Sequence, residues 1–281
     1  MKISKIINNN IISSLDVKNQ EVIIMGRGLG FGKKIGSDVD ETKIEKVFRM
    51  DSLGDTRQFE NLLNDVPIEI VKLVTNIINN AKEQIPAPLQ NSIYLTLIDH
   101  INYVKDRQRQ NIQFHNPLLY DIRRLYKTEY KIGEEAVVQI NQALDTDIPK
   151  DEAASIALHF INARLGNELP ETINIAKIIP NIIKIIQYSF NIEINEDIPE
   201  TEYFLASVKL FAQRVVGGEM LSPQDNSIEQ LIRDRYKKSY SCVTKIAEYI
   251  KKEYSIEISS GEMTDLTMQI ERIRNGSDIK K

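Results

Sequence analysis

The sequence predicts an α+β multidomain chain: a small antiparallel β-sheet domain over residues 1–56, followed by two homologous all-α helical-bundle domains over 65–170 and 171–281. Three observations predict it. Up to about residue 50, short β-branched runs alternate with turn residues; beyond Asp55 the apolar period lengthens from 2 to about 3.6; and the helical part superposes on itself after a shift of 110 positions.

Residues 2–8 and 11–17 read as two short strands joined by the turn-forming Asn8-Asn9-Asn10. Lys18-Asn19-Gln20 turns into a third strand, Glu21–Met25. The run then breaks into Gly26-Arg27-Gly28-Leu29-Gly30-Phe31-Gly32, closed by Lys33 and Lys34. Residues 33–38 are expected to form a fourth strand, and 44–50 a last strand or edge. A unit of this size buries little core alone, so dimerisation is expected.

The glycine loop could be a plain hairpin that needs positive φ. It is not a dinucleotide fingerprint, because the third glycine counted from Gly26 falls on Phe31 and no amphipathic helix follows; no Walker-type G-x-x-x-x-G-K-[ST] occurs either. Arg27 to Phe31 echoes the RNA-recognition-motif core weakly, with Leu29 in place of an aromatic. What the loop offers is bare backbone, a guanidinium and one aromatic ring. That set suits a flexible polyanion.

Charge agrees. Residues 1–37 hold six basic and two acidic side chains, net +4, so that within a total of −4 the remaining 244 residues carry −8. Hydrophobic residues at 42% and charged residues at 27% are ordinary for a globular chain. No apolar run reaches the roughly 18 residues of a membrane span and the first residues lack a signal-peptide core, so a cytoplasmic protein is expected. The single cysteine, Cys242, is expected as a small buried side chain. His100, His115 and His159 show no metal-ligand spacing, and neither a metal nor another cofactor is expected.

In the helical part, Val71, Val74, Ile77 and Ile78 form one apolar face, and Ile93, Leu97, Ile101 and Val104 another. Between residues 122 and 164 the 110-residue shift aligns nine identities, among them Tyr126 with Tyr236, Glu152 with Glu262 and Arg164 with Arg274, with the join near Asn167-Glu168-Leu169-Pro170. His159 then faces Gln269. A register three residues shorter sets His100 opposite Ser207. Each histidine could be a packed helix-edge residue, but a pair in one copy that is absent from its sister argues against that reading. His115 reads as an exposed loop residue without a role.

MKISKIINNNIIS and VIIMGRGLGFGKKIGSDVDETKIEKVF are similar to the RNA-binding coantiterminator domain of the BglG/SacY/LicT transcriptional antiterminators. SIYLTLIDHINY and DEAASIALHFINARLGNELP resemble the two histidine motifs of a PTS-regulation domain, and KLFAQRV and LTMQIERI those of a second. The resemblance covers essentially the whole chain. It implies a homodimer that stabilises an RNA hairpin in a nascent leader transcript so that a terminator cannot form, with RNA contacts at Lys5, Asn8, Asn10, Gly26, Arg27, Gly28 and Phe31.

Each of those residue types fits such a contact. Lys5 and Arg27 meet phosphates, Asn8 and Asn10 read base edges and 2′-hydroxyls, Gly26 and Gly28 allow close approach, and Phe31 stacks on unpaired bases. The resemblance further implies that histidines of the first copy, His100 and His159, are phosphorylated through the sugar permease (enzyme II) when it is idle, switching the protein off. Asp99 could orient the His100 ring. In the second copy phosphate comes from HPr, but Ser207 and Gln269 stand where histidines are expected, so that input is expected to be missing. Two other classes fit less well: a DNA-binding activator, which needs a helix-turn-helix head, and a phosphotransfer enzyme, for which no nucleophile motif, phosphate cradle or metal set is present.

Overall fold

The computed structural model describes residues 1–110, 112, 115–166, 169–192, 194, 199–223 and 225–278. Its chain divides into two compact units, Met1–Gly166 and Asn167–Lys281. The expected join at Asn167-Glu168 lies outside the described residues.

Four antiparallel strands, β1 (Ile3–Asn8), β2 (Ile11–Leu15), β3 (Glu21–Met25) and β4 (Lys46–Phe48), form one sheet in the order β1-β2-β3-β4. The Asn9-Asn10 turn is drawn tight by the Asn8 side-chain oxygen, which accepts from the Asn10 N–H. Strand β2 stops at Leu15 because the Asp16 carboxylate accepts from the N–H groups of Lys18 and Gln20, with Asn19 left-handed at φ 61°. These two hydrogen bonds hold the Asp16 carboxyl below the usual range.

The expected strand at 33–38 does not form. Gly32 and Gly36 take positive φ, Ile35 is exposed, and only Asp38 makes a single bridge, to Lys2. The reason is local: left-handed backbone breaks the alternation a strand needs. The run read at 44–50 likewise shortens to β4.

Register fixes what each face carries. Ile12 pairs with Ile24 and Ile24 with Val47, so these lie together on one face, which Leu29 and Val39 cover. The opposite face carries Lys5 and Asn8 of β1, Ile11 and Ser13 of β2, Ile23 and Met25 of β3, and Phe48 of β4. Helix α1 (Leu53–Asp65) covers it. Ser52 caps α1 by accepting from the Asp55 N–H, and Thr56, Phe59, Glu60 and Leu63 form its buried stripe. Phe59 meets Phe48 edge to face at 5.2 Å, and Phe48 meets Tyr94 at the same distance. The second face of the sheet is therefore completed by the chain's own helices.

The rest of the first unit is helical: α2 (Ile68–Gln84), α3 (Ser92–Arg109), α4 (Leu119–Leu125), α5 (Lys127–Leu144) and α6 (Glu152–Leu165). The two apolar faces expected on α2 and α3 are buried. In the second unit lie α7 (Leu169–Phe190), α8 (Pro199–Gly217), α9 (Asn226–Arg235), α10 (Lys237–Tyr254) and α11 (Ser260–Asp278). The repeat reaches the backbone: α5 and α10 match in both ends, and the residues after them, Asp145 and Ser255, are left-handed at φ 50° and 57°. Cys242 is buried on α10, and burial pushes its thiol pKa up.

Candidate nucleic-acid interface and histidine site

The glycine loop is clamped to the Asn8–Asn10 turn. Gly26 N–H donates to the Asn10 carbonyl at 2.9 Å, Gly28 N–H to the Asn10 side-chain oxygen at 2.9 Å, and Gly30 N–H to the Asn9 carbonyl at 3.0 Å. Two glycines are demanded by closeness. A Cβ on Gly26 would stand 1.9 Å from the Lys43 carbonyl oxygen, and one on Gly30 2.3 Å from that of Asn8. Gly28 has open space but needs φ +68°. The clamp presents Arg27 and Phe31 to solvent, Phe31 at 73% exposure. A ring that size in water has no packing role in the chain.

The structure brings Asn10, Gly26 and Arg27 together in one concavity, which Ile68 and Lys72 of α2 also line. Glu45 anchors this edge by accepting from the Arg27 N–H at 3.3 Å and pairing with Lys72 at 2.7 Å. Lys72 holds the Glu45 carboxyl below its usual range. Lys5 and Asn8 are placed differently, on the face that α1 covers, with the Lys5 side chain still 52% exposed. Lys5 Nζ donates to Glu60 Oε2 at 2.7 Å, and the Asn8 side-chain amide donates to the Leu63 carbonyl at 2.9 Å.

His100 on α3 and His159 on α6 meet across the helix pair, with ring centroids 4.8 Å apart at 50°. The first residue of α6, Glu152, is fully buried; it binds Arg107 of α3 through Oε1 and stands 3.2 Å from His100 Nε2 through Oε2. Burial works against its charge, but His100 and Arg107 prevail and its pKa is lowered. His159 is 7% exposed, and burial, with His100 beside it, depresses its pKa well below the usual value. Asp99 is exposed, so the carboxylate that faces the His100 ring is Glu152. His100 Nε2 and His159 Nδ1 are both shielded from solvent.

In the sister copy the Ser207 hydroxyl donates to the Tyr203 carbonyl one turn back, at 3.0 Å, and Gln269 lines a shallow concavity with Tyr236, Met268 and Glu271. Arg214 grips Glu262 with two hydrogen bonds, 2.6 and 2.7 Å. In the first copy Oε2 of the matching carboxylate faces a histidine; in the second the arginine takes both oxygens. Sequence reasoning missed these arginines, although Arg107 and Arg214 stand 107 positions apart, the same register that sets His100 against Ser207. His115 is exposed, as expected, with Nδ1 3.0 Å from Asp151. The head is a sheet and not two helices with a turn, so a helix-turn-helix activator is ruled out.

Residues 1–56 match the family described as CAT RNA binding domain, and residues 75–163 and 180–273 each match PRD domain. The chain is 42% identical to the transcription antiterminator LicT of Bacillus subtilis (strain 168), across 97% of this chain and 99% of that one. It is 36% identical to the beta-glucoside operon antiterminator of Dickeya chrysanthemi, across 98% and 97%. The crystal structure of GlcT CAT-PRDI superposes with a TM-score of 0.51 at 31% identity, covering 58% of this chain and 97% of that chain. No described helix is long and apolar enough to cross a membrane.

Proposed function

The chain belongs to the family of transcription antiterminators built from a CAT RNA binding domain and PRD domains, and from that premise we propose that it binds a partly mismatched hairpin in a nascent leader RNA and so keeps a terminator from forming. The observation that carries this reading is the clamped glycine loop, which holds Arg27 and Phe31 in solvent beside Asn10 and Gly26. A guanidinium fork suits phosphate, and an unpacked ring suits a base left unpaired in an internal loop. The domains we assign are 1–56 for RNA and 65–170 and 171–281 for regulation. It acts by binding, as a homodimer in the cytoplasm, without catalytic turnover.

Regulation enters through His100 and His159, proposed phosphoacceptors for the sugar phosphotransferase system, with the permease as the route. Phosphate adds about −1.5 to −2 charge within reach of the buried Glu152 carboxylate, 3.2 Å from His100 Nε2. Two anions there cannot keep the present packing, so phosphorylation repacks α3 against α6. Ser207 and Gln269 cannot carry phosphohistidine, and the HPr input through the second copy is absent. Transcription in vitro through a leader terminator tests the function. Added protein should raise read-through, and Arg27→Ala should abolish the rise; read-through unchanged by the wild-type chain refutes it.

A further inference from the structure

Helix α1 makes its two polar contacts to the sheet with Lys5 and Asn8, both among the seven residues assigned to RNA. Register puts these two on the same face as Ile11, Ile23 and Phe48, and α1 lies across that face. The contacts have the chemistry of an RNA contact. The Glu60 carboxylate stands on the Lys5 ammonium at 2.7 Å, as a phosphate oxygen would, and the Leu63 carbonyl takes an Asn8 amide proton, as a base or ribose oxygen would.

Glu60 is an unusual choice for this position. Its side chain is 7% exposed, its Oε1 is buried without a hydrogen-bond partner, and it sits in the stripe that otherwise holds Thr56, Phe59 and Leu63. A half-satisfied buried carboxylate adds little net stability, so an apolar residue or a glutamine would serve packing at least as well. What the carboxylate does supply is negative charge against the RNA face.

We propose that α1 is a built-in competitor for RNA: Glu60 neutralises Lys5 and repels an incoming phosphate, Leu63 occupies Asn8, and hairpin binding requires this end of α1 to leave the sheet. The inference rests on the assignment of Lys5 and Asn8 as RNA contacts. It gives the helical part a direct handle on the head, since α1 is the segment that joins the sheet to α2. Arg27 and Phe31 stay exposed throughout, so the closed form retains a partial interface that captures RNA before α1 is displaced.

The test is a salt-dependent fluorescence titration of the full chain with an internally looped hairpin, comparing wild type, Glu60→Gln, Lys5→Gln, the double variant, and Glu83→Gln as an exposed control for charge alone. Glu60→Gln should tighten binding about 5-fold or more. It should also steepen the plot of log K against log salt by about 0.9, the value of one more phosphate contact. Lys5→Gln should weaken binding, and in that background Glu60→Gln should do nothing further. Thermal unfolding of each variant checks that the fold is kept. If Glu60→Gln leaves affinity and slope unchanged, or weakens binding, while Lys5→Gln weakens it, the competitor is refuted and the Lys5 contact stands. If Lys5→Gln has no effect either, the contact assignment itself has failed.

Discussion

His100 and His159 hold their rings 4.8 Å apart, with Glu152 Oε2 3.2 Å from the first and the second buried. A charge placed on either ring is therefore placed next to the other.

The first consequence is a pH dependence. The pKa of His159 is lowered in the folded chain by burial first and by His100 second, so below the unfolded value near 6.5 the unfolded state binds more protons. Stability then falls as pH drops through and below that value, by up to about 1.4 kcal/mol per pH unit for one such group. The Glu152 pKa is lowered too, and its contribution is lost only at lower pH, below the ordinary carboxylate value of 4.5. Urea midpoints between pH 8 and 5 should decline in the wild type, and less in His159→Gln.

Phosphate chemistry separates the two copies. Incubation with phosphorylated carrier and permease should give an acid-labile, base-stable label confined to peptides from Met1–Gly166, lost in the His100→Ala/His159→Ala double variant. Label on peptides from Asn167–Lys281 would contradict the account, since Ser207 and Gln269 cannot hold it.

Arg107 and Glu152 bridge α3 and α6 while nearly or fully out of solvent. Glu152→Ala breaks this buried ion pair and should cost about 3–5 kcal/mol. Glu262→Ala should cost less, because Arg214 is 24% exposed and also lies 3.7 Å from Asp265. Chemical denaturation of the two variants measures the difference.

The glycines of the loop should differ in the same experiment. Gly26→Ala and Gly30→Ala push a methyl into backbone oxygen and should cost about 1–3 kcal/mol together with RNA affinity. Gly28→Ala meets open space and only a left-handed backbone, so about 1 kcal/mol is expected. Equal losses at all three would mean that the loop is not clamped as described.

Much of this was legible beforehand. Alternation marked β1, β2 and β3, the 3.6 period marked α2 and α3, and the 110-residue shift marked the helical part as two copies, because each signal is local or a copy of a local one. The error at 33–38 came from reading Ile35 as a strand residue when Gly36 at positive φ breaks the run. What sequence did not reveal is tertiary. That Glu60 reaches back to Lys5, 55 positions away, and that Glu152 rather than Asp99 faces His100 depends on which helix faces packing brings together, and no spacing in the chain records that.

In the proposed function the clamped loop recognises an internally looped RNA. The measurement that tests it most directly is a fluorescence titration of the full chain against a hairpin with two internal loops and against a fully paired hairpin of the same length. Tight, salt-sensitive binding to the looped RNA alone, lost in Arg27→Ala and reduced in Phe31→Ala by the roughly 1–3 kcal/mol of one stacked base, is the predicted result. Equal affinity for both hairpins, or binding unchanged in both variants, would contradict it.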